Sequence, residues 1–447
     1  QIGKIGVERR MEQTLRGSAG SKRIEVNAVG RVMRELDRQE GDAGGDIRLS
    51  VDAGLQNYVQ ARLGNESASA VVMEVNTGDI LAIASAPSFD PNLFVRGIST
   101  ADYRLLTEND HRPLANKSVQ GAYPPGSTFK MVTALAALEA GVITPETTVR
   151  CPGHYDSGGR RFHCWKRGGH GGVNLQRALA ESCDVYFYDV AQRCGIDAIS
   201  VMSSRLGLGV RHDLPMSAIS EGLNPNKDWK REKRGQEWRI GDTINASIGQ
   251  GYVLTSPLQL AVMTARLATG RAVVPRLVRS IEGVPVDIAP VASLGLNAEH
   301  LRAVRAGMNA VMNSRTGTAY SSRIEDPAMR MAGKTGTSQV RNISTAERAR
   351  GVLRNDQLPW DRRDHALFVS FAPLEAPQVA VALVVEHGGG GSTVAAPIAR
   401  DILLQALHGG FPPMSAYPAS QRNRIETERK KLKLRDIEGG GTTLNRA

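Results

Sequence analysis

"GAYPPGSTFKMVTALAALEAG", residues 121–141, is the stretch from which the fold is read. Pro124, Pro125 and Gly126 break regular structure, and the run from Ser127 to Ala140 is almost continuously apolar until Gly141 ends it. A helix apolar on every side belongs in a protein interior. Ser127 stands where an N-cap is expected. A capping box would place Glu or Gln three residues on, but the chain has Lys130 there, a cation at the positive end of the helix dipole. Local contradictions of this kind tend to mark functional sites. Residues i and i+3 share a helix face, so the hydroxyl and the amine can meet. A serine needs a base beside it to act as a nucleophile; burial, a positive helix end and a second cation all favour a lysine in its uncharged form. A capped core helix with a snorkelling lysine has the same pattern, and Ser-x-x-Lys alone does not separate the two.

The bulk properties bound the answer. With 447 residues, 41% hydrophobic and 23% charged, the chain reads as a globular protein of two or three domains. It has no apolar run of about eighteen residues, the length a membrane span requires. It begins at Gln1 without a methionine or signal peptide, which reads as a fragment missing its N-terminal part. The net charge of +11 is scattered, with clusters at 230–239 and 422–435. No groove-reading motif accompanies it, so nucleic acid is not an expected partner; anionic lipid or an anionic polymer fits the charge equally well. Four cysteines, Cys151, Cys164, Cys183 and Cys194, are too few for a disulfide-scaffolded mini-domain.

Along the chain, residues 1–48 are polar and helix-prone, end in a "GDAGGD" linker, and read as a stalk or the remnant of a separate domain. From Asp46 the pattern gives a short strand and a helix, then "SAVVMEVNTGDILAIASAP" gives two strands around Asn76-Thr77-Gly78-Asp79. Residues 100–320 read as mostly helical. "HALFVSFAP" and "VAVALVVEHG" are strands, followed by the helix "VAAPIARDILLQAL". Strands at both ends with helices between them predict an α+β fold around one antiparallel sheet, over residues 49–412. The charged tail, 413–447, is expected to be largely disordered.

Two further motifs join the first. "ESCDVYFYDVA" places Ser182 and Asp184 at the entry to another apolar run, and "MAGKTGTSQV" carries Lys334, Thr335, Gly336 and Thr337. Alone, the former reads as a helix cap and the latter as a turn. Two hydroxyls and a lysine also suit a carboxylate, and a glycine there permits close backbone approach. Ser-x-x-Lys, Ser-x-Asp and Lys-Thr-Gly-Thr in that order are the motif set of penicillin-binding proteins and serine β-lactamases. The sequence resembles a class B penicillin-binding protein over about residues 1–412. "NKSVQGAYPPGSTFK", "SCDVYFYDVAQRCGIDAIS", "GDTINASIGQGYVLTSPLQLA" and "DHALFVSFAP" are similar to the elongation-specific subgroup, penicillin-binding protein 2, and "GKIGVERRMEQTLRG" resembles the end of that subgroup's pedestal.

The resemblance implies a penicilloyl-serine transferase fold and a peptidoglycan D,D-transpeptidase, anchored in the bacterial inner membrane and facing the periplasm. Ser127 would be the nucleophile, Lys130 the base and Ser182 the proton relay. Asp184 would orient both, and Lys334 would supply charge. Thr335, Gly336 and Thr337 would form the substrate edge, with the N–H groups of Ser127 and Thr337 as oxyanion hole. Asp184 departs from the family's commoner Asn, and its charge works against a neutral Lys130. Implied partners are peptidoglycan stem peptides, β-lactam antibiotics, a membrane glycosyltransferase and an elongation scaffold protein. No cofactor is needed for the acyl chemistry.

Cys151, Cys164, His170 and Cys183 have the spacing C-x12-C-x5-H-x12-C. Three thiolates and an imidazole make a closed tetrahedral zinc site. One disulfide or ordinary buried thiols remain alternatives, with His154 and His163 as other candidate ligands; Cys194 reads as a core residue. A β-lactamase or a non-catalytic β-lactam sensor would use the same serine. The first needs a deacylating base that no feature identifies, and the pedestal-like N-terminus favours the transpeptidase.

Overall fold

The structure, a computed structural model, describes residues 2–437 apart from 96, 289, 345, 346, 348 and 349. It divides into two units. The smaller comprises Gln1–Ser50, Asp213–Ile219 and Arg276–Pro290. Two short helices, Gly6–Arg10 and Glu12–Leu15, precede an antiparallel hairpin of Ser21–Val26 and Val32–Gln39 whose residues are all exposed. The stretch 1–48, read as a stalk or the remnant of a separate domain, shares its unit with two later segments. One of them is tied in by a three-residue strand, Ile47–Leu49, which pairs antiparallel with Val278–Ile281. So short a strand cannot satisfy its backbone groups without a partner from elsewhere.

The larger unit comprises Val51–His212, Ser220–Pro275 and Val291–Ala447. In chain order it contains helix α1 (Ala53–Leu63), strands β1 (Ala68–Glu74) and β2 (Ile80–Ala86), and helices α2 (Lys130–Glu139), α3 (Leu175–Ala180) and α4 (Asp184–Arg205). Helices α5 (Lys227–Arg234), α6 (Pro257–Thr269) and α7 (Ala298–Asn313) follow. Strands β3 (Ala332–Ser338), β4 (His365–Ala372) and β5 (Val379–Val385) precede helices α8 (Ala396–His408) and α9 (Arg422–Lys430).

The five strands form one antiparallel sheet in the order β3-β4-β5-β1-β2, the α+β arrangement expected from strands at both ends of the domain. β5, "VAVALVV", is buried along its whole length, as a central strand covered on both faces must be. Ala68, Ala70 and Val72 share one face with Val381, Leu383 and Val385, packed with α1 and α8. α6 lies against β1, β4 and β5 without joining that cluster, so it covers the other face. α2 is buried from Lys130 to Leu138 and packs against α4.

Two readings need correction. Residues 100–320 are not uniformly helical: four short strands, Val149–Cys151, His154–Ser157, Arg160–His163 and Gly171–Val173, form two small antiparallel pairs between α2 and α3. The segment after Pro413 is also ordered over much of its length, although 438–447 lies outside the described residues. Tyr417 and Ile425 are buried in the α1–α8 cluster, and Gln421 Oε1 accepts a 2.8 Å hydrogen bond from the buried Arg400. The charged composition of 422–435 hides these few apolar contacts, because a half-buried helix needs only one inward residue per turn or two.

Candidate active site

Ser127 does not cap a helix. Gly126–Phe129 form a 3-10 turn, and the α-helix α2 begins at Lys130. Gly126 holds φ at +55°, and a Cβ there would lie 2.6 Å from the Thr337 carbonyl oxygen. Only glycine fits, since any side chain would push the turn off β3. The Gly126 N–H donates to the Gly249 carbonyl at 2.9 Å. The turn is thus wedged between β3 and the loop at Gly249, with Ser127 half-buried at its surface.

Ser182 is set by a helix terminus. Cys183 N–H donates to Ala178 O at 2.9 Å and Ser182 N–H to Leu179 O at 3.2 Å, the paired bonds of a Schellman cap on α3. The C′ residue of such a cap is left-handed and is usually glycine; here it is Ser182, at φ +55°. A serine in this conformation costs roughly 1–2 kcal/mol relative to glycine, a strain that its hydroxyl's position explains. α4 starts two residues later at Asp184, where a carboxylate suits the helix N-terminus.

These two helix starts answer the charge misplaced in the sequence. Lys130 Nζ donates to Asp184 Oδ1 at 2.7 Å, to the Ser182 carbonyl at 2.8 Å and to Ser182 Oγ at 3.1 Å. An ammonium has three N–H groups, and here each has an acceptor. Ser127 is not among these acceptors, so this geometry is that of a resting ion pair. Burial pushes the Asp184 carboxyl up, and the Lys130 charge works against that. Asp184 Oδ2 accepts the Trp165 backbone N–H at 2.9 Å, and the indole N–H of Trp165 lies 3.1 Å from the carbonyl oxygens of both Glu181 and Ser182.

Lys-Thr-Gly-Thr lies on β3, the edge strand, and not in a turn. Lys334 is fully buried. Its Nζ donates to Ser182 Oγ at 2.9 Å and to Thr335 O at 3.0 Å. Burial, aided by the charge of Lys130, holds its amine well below the ordinary lysine range. Ser182 Oγ therefore bridges two lysines. Gln250 Nε2 donates to the Thr337 carbonyl at 3.3 Å, so that carbonyl faces away from β4, and the N–H of the same residue faces the same way. Thr337 thus offers an open N–H beside Ser127, where an oxyanion donor is needed. At Gly336 a Cβ would lie 2.9 Å from Thr128 and 3.0 Å from the Pro125 carbonyl, which is the close approach the glycine permits.

Cys151, Cys164, His170 and Cys183 are all buried, and their ligand atoms lie within 4.8 Å of one another. All four cysteines are free thiols, so the structure contains no disulfide among them. His170 Nδ1 sits 3.6 Å from Cys151 Sγ and 3.5 Å from Cys164 Sγ. Hydrogen bonding to Cys183 pulls the Cys164 thiol down, and the same contact together with burial pushes Cys183 up. His154 and His163 pair across the neighbouring hairpin and take no place in the cluster. Cys194 lies on α4, where burial pushes its thiol up to about 11.

All the motif residues named from the sequence converge here, and three others belong with them. Trp165 ties the cysteine cluster to Asp184. Thr318 Oγ1 lies 2.9 Å from Thr335 Oγ1 while its N–H donates to Ala180 O at 3.1 Å, linking β3 to the Ser182 cap. Gln250 orients the Thr337 peptide. None sits at a spacing that points to the serine, and only "GQG", a glycine pair in a loop between helices, gave a local signal.

Comparison with known proteins agrees with this geometry. Residues 68–404 match the penicillin binding protein transpeptidase domain, and residues 1–49 match the penicillin-binding protein dimerisation domain. The peptidoglycan D,D-transpeptidase MrdA of Acinetobacter baumannii is 40% identical over 409 residues, covering 89% of this chain; the chain spans 60% of that relative's length. A crystal structure of Pseudomonas aeruginosa PBP2 in complex with WCK 5153 superimposes with a TM-score of 0.78 at 38% identity, covering 94% of this chain and 85% of the other. The PBP2 chain of a complex with MreC from Helicobacter pylori gives a TM-score of 0.78 at 32% identity, covering 92% and 72%. With its serine turn packed against its Lys-Thr-Gly-Thr edge strand and its two lysines bridged by Ser182, the chain belongs to the penicillin-binding protein transpeptidase family.

Proposed function

We propose that the chain is the serine transpeptidase part of an elongation-type penicillin-binding protein. It would cross-link peptidoglycan stem peptides through an acyl-serine intermediate and be blocked covalently by β-lactams. The observation that carries this is the row Lys130–Ser182–Lys334, bridged at 3.1 and 2.9 Å by one hydroxyl beside the Ser127 turn. In this reading Lys130 first gives a proton to the Asp184 carboxylate; Ser127 Oγ then attacks the carbonyl of the penultimate D-Ala, and its proton passes to the neutral Lys130 amine. The Ser182 hydroxyl returns a proton to the departing D-Ala amine. The tetrahedral oxyanion rests on the N–H groups of Ser127 and Thr337, a stabilisation of about 3–4 kcal/mol per donor in comparable sites. An amine from a second strand then displaces Ser127 and completes the cross-link. Thr335, Thr337 and Lys334 hold the carboxylate.

Incubation with penicillin followed by intact mass measurement tests the reading. One adduct per chain is expected, lost in Ser127→Ala; an adduct that survives this change overturns it. A stable adduct also separates the transpeptidase from a β-lactamase. Turnover of a pentapeptide donor with an amine acceptor separates it from a sensor. A membrane glycosyltransferase supplying uncross-linked glycan and a scaffold protein like the MreC of the Helicobacter complex are the partners this role calls for. The site would face the periplasm from an inner-membrane anchor. Among the described residues no helix is long and apolar enough to cross a membrane.

We also propose that Cys151, Cys164, His170 and Cys183 hold a structural zinc ion. Tetrahedral bonds of about 2.3 Å to sulfur and about 2.0 Å to nitrogen place S and N about 3.5 Å apart. The sulfur-to-His170 distances of 3.5 and 3.6 Å agree with this. When bound, the ion would supply a closed cross-link with no open coordination position and no part in the acyl chemistry. Cys183 lies between Ser182 and Asp184, so fixing its sulfur fixes the proton relay. Elemental analysis of protein purified without chelator should give about one zinc per chain. Metal-free protein with paired cysteines and full penicillin reactivity overturns the assignment.

A further inference from the structure

Helix α5 carries a charge arrangement that the acyl chemistry does not use. At 100° per residue, Trp229, Lys230, Lys233 and Arg234 share one face, while Asp228, Arg231 and Glu232 fall on the opposite side. Two other cations of the helix are neutralised: Arg231 pairs with Asp228 at 2.5 Å, and Lys227, at the edge of the face, with Asp197 at 2.9 Å. On the face itself Lys230 is buried and pairs with Asp242 at 2.5 Å. Lys233 and Arg234 are exposed and make no ion pair among the described residues. Arg234 is nonetheless held in place, its guanidinium 5.9 Å from the ring centres of both Trp229 and Tyr252. Those two rings lie 5.2 Å apart, both half-buried, and Trp238 flanks them across Lys230 Nζ at 5.9 Å.

This surface is wired to the nucleophile. Gly249, which accepts the Gly126 N–H, and Gln250, which holds the Thr337 carbonyl, lie just before Tyr252 in the same loop. Three residues of chain span about 10 Å at most. The Tyr252 backbone therefore lies within about 10 Å of Gly249, which holds the turn that carries Ser127.

We propose that the α5 face, made by Trp229, Lys233, Arg234 and Tyr252, binds the acidic part of a peptidoglycan strand engaged at Ser127. The inference rests on the transpeptidase reading and deepens it. Aromatic faces offer stacking surface for sugar rings and peptide planes. A pre-positioned, unpaired arginine is the side chain suited to a free carboxylate, which it grips with two parallel N–H groups. Charge complementarity thus selects a strand with ionised carboxylates over one whose carboxylates are amidated.

The test uses the whole chain and a disaccharide tetrapeptide with free carboxylates, which lacks a terminal D-Ala-D-Ala and cannot acylate Ser127. Binding is read by titration against the tryptophan fluorescence and checked by calorimetry. Arg234→Glu should weaken binding about tenfold or more, and Arg234→Lys should restore part of it. The amidated tetrapeptide should bind the unmodified chain about as weakly as the free acid binds Arg234→Glu. Equal binding of the acidic peptide to the unmodified chain and to Arg234→Glu overturns the proposal. So does equal binding of the acidic and amidated peptides. Loss of binding to anionic lipid vesicles in Arg234→Glu, with glycopeptide binding unchanged, overturns it in favour of a lipid surface. Penicillin acylation of the unmodified chain is measured in parallel; its failure strikes the acyl-serine reading, whereas failure of the glycopeptide titration strikes only the α5 surface.

Discussion

The larger unit holds two clusters that each contain two cations and one carboxylate, and they serve opposite ends. One is Lys130, Lys334 and Asp184; the other is Arg62, Arg400 and Asp401. In the second, Arg62 Nε reaches Asp401 Oδ2 at 2.9 Å, and Arg400 reaches Oδ1 through Nε and Nη2 at 3.0 and 2.9 Å. Gln421 and the Tyr417 ring complete the enclosure of Arg400. Burial works to lower the Arg62 guanidinium's proton affinity, but Asp401 outweighs it and the group is pushed up. Lys334 moves the other way. Among the described residues no carboxylate bonds it directly, and burial and Lys130 prevail over the more remote Asp184. Arginine cannot release its proton in a protein, while a buried lysine can. The arginine cluster is a staple between α1, α8 and the C-terminal segment. The lysine cluster keeps a proton transferable beside a hydroxyl.

The sharpest way to break the comparison is to put the wrong cation in the reactive cluster. Lys130→Arg keeps charge and an ion pair with Asp184 but removes a group able to accept a proton. Acylation by penicillin should slow by about 10²–10⁴-fold, the usual worth of a positioned acid–base group. Stopped-flow or quenched mass measurement reads it, and near-normal acylation would show that Lys130 is not the base. The reverse change strikes the staple. Asp401→Asn strands the buried Arg400 and the half-buried Arg62 guanidinium groups and should cost about 3–5 kcal/mol of stability. The acylation rate per folded molecule should hold, since Asp401 touches none of the Ser127 network. If rate and stability fall together, the two clusters are not independent.

Legibility from sequence follows the range of the interactions. The three motifs are short-range patterns at helix starts and on an edge strand, and one antiparallel sheet drawn from distant segments follows from where the apolar strands fall. The pattern at Ser127 stood out in the sequence because Lys130 broke a local rule, which Asp184 repairs at 2.7 Å. What stayed hidden is held by contacts between distant segments. Thr318 bridges Ala180 and Thr335, Trp165 reaches Asp184, and Ile47–Leu49 finds its partner at Val278–Ile281. The C-terminal segment misled because its composition is charged, while its order rests on a few inward residues and on Arg400. The cysteine cluster was visible as spacing, but its convergence around His170 depended on two small strand pairs that a mostly helical reading of 100–320 had left out.

A smaller effect isolates the strain at Ser182. Both Ser182→Ala and Ser182→Gly remove the hydroxyl that bridges the lysines, so both should acylate slowly. They differ in backbone, because alanine keeps a Cβ at φ +55° and glycine does not. Ser182→Gly should therefore be more stable than Ser182→Ala by about 1 kcal/mol, read as a higher urea midpoint at the same slope. Equal midpoints would mean that the Schellman cap relaxes around alanine without strain.

The smallest effect near neutral pH concerns Lys334, and its sign distinguishes the lysine cluster from the arginine one. Free lysine has a reference value of 10.5, and the folded chain holds Lys334 well below it. Between those two values the unfolded chain binds more protons than the folded one, so stability rises with pH across the window. The penalty for burying the charge is complete below the folded value, fades as pH climbs, and is gone above 10.5. Lys334→Met fills similar space without titrating. Urea unfolding of both chains from neutral pH towards alkaline pH should show the unmodified protein gaining stability relative to Lys334→Met. Arg62, pushed up rather than down, contributes no such gain in this range. Parallel curves for the two chains would mean that the Lys334 amine does not change its proton affinity on folding, and the contrast between the two clusters would then rest on geometry alone.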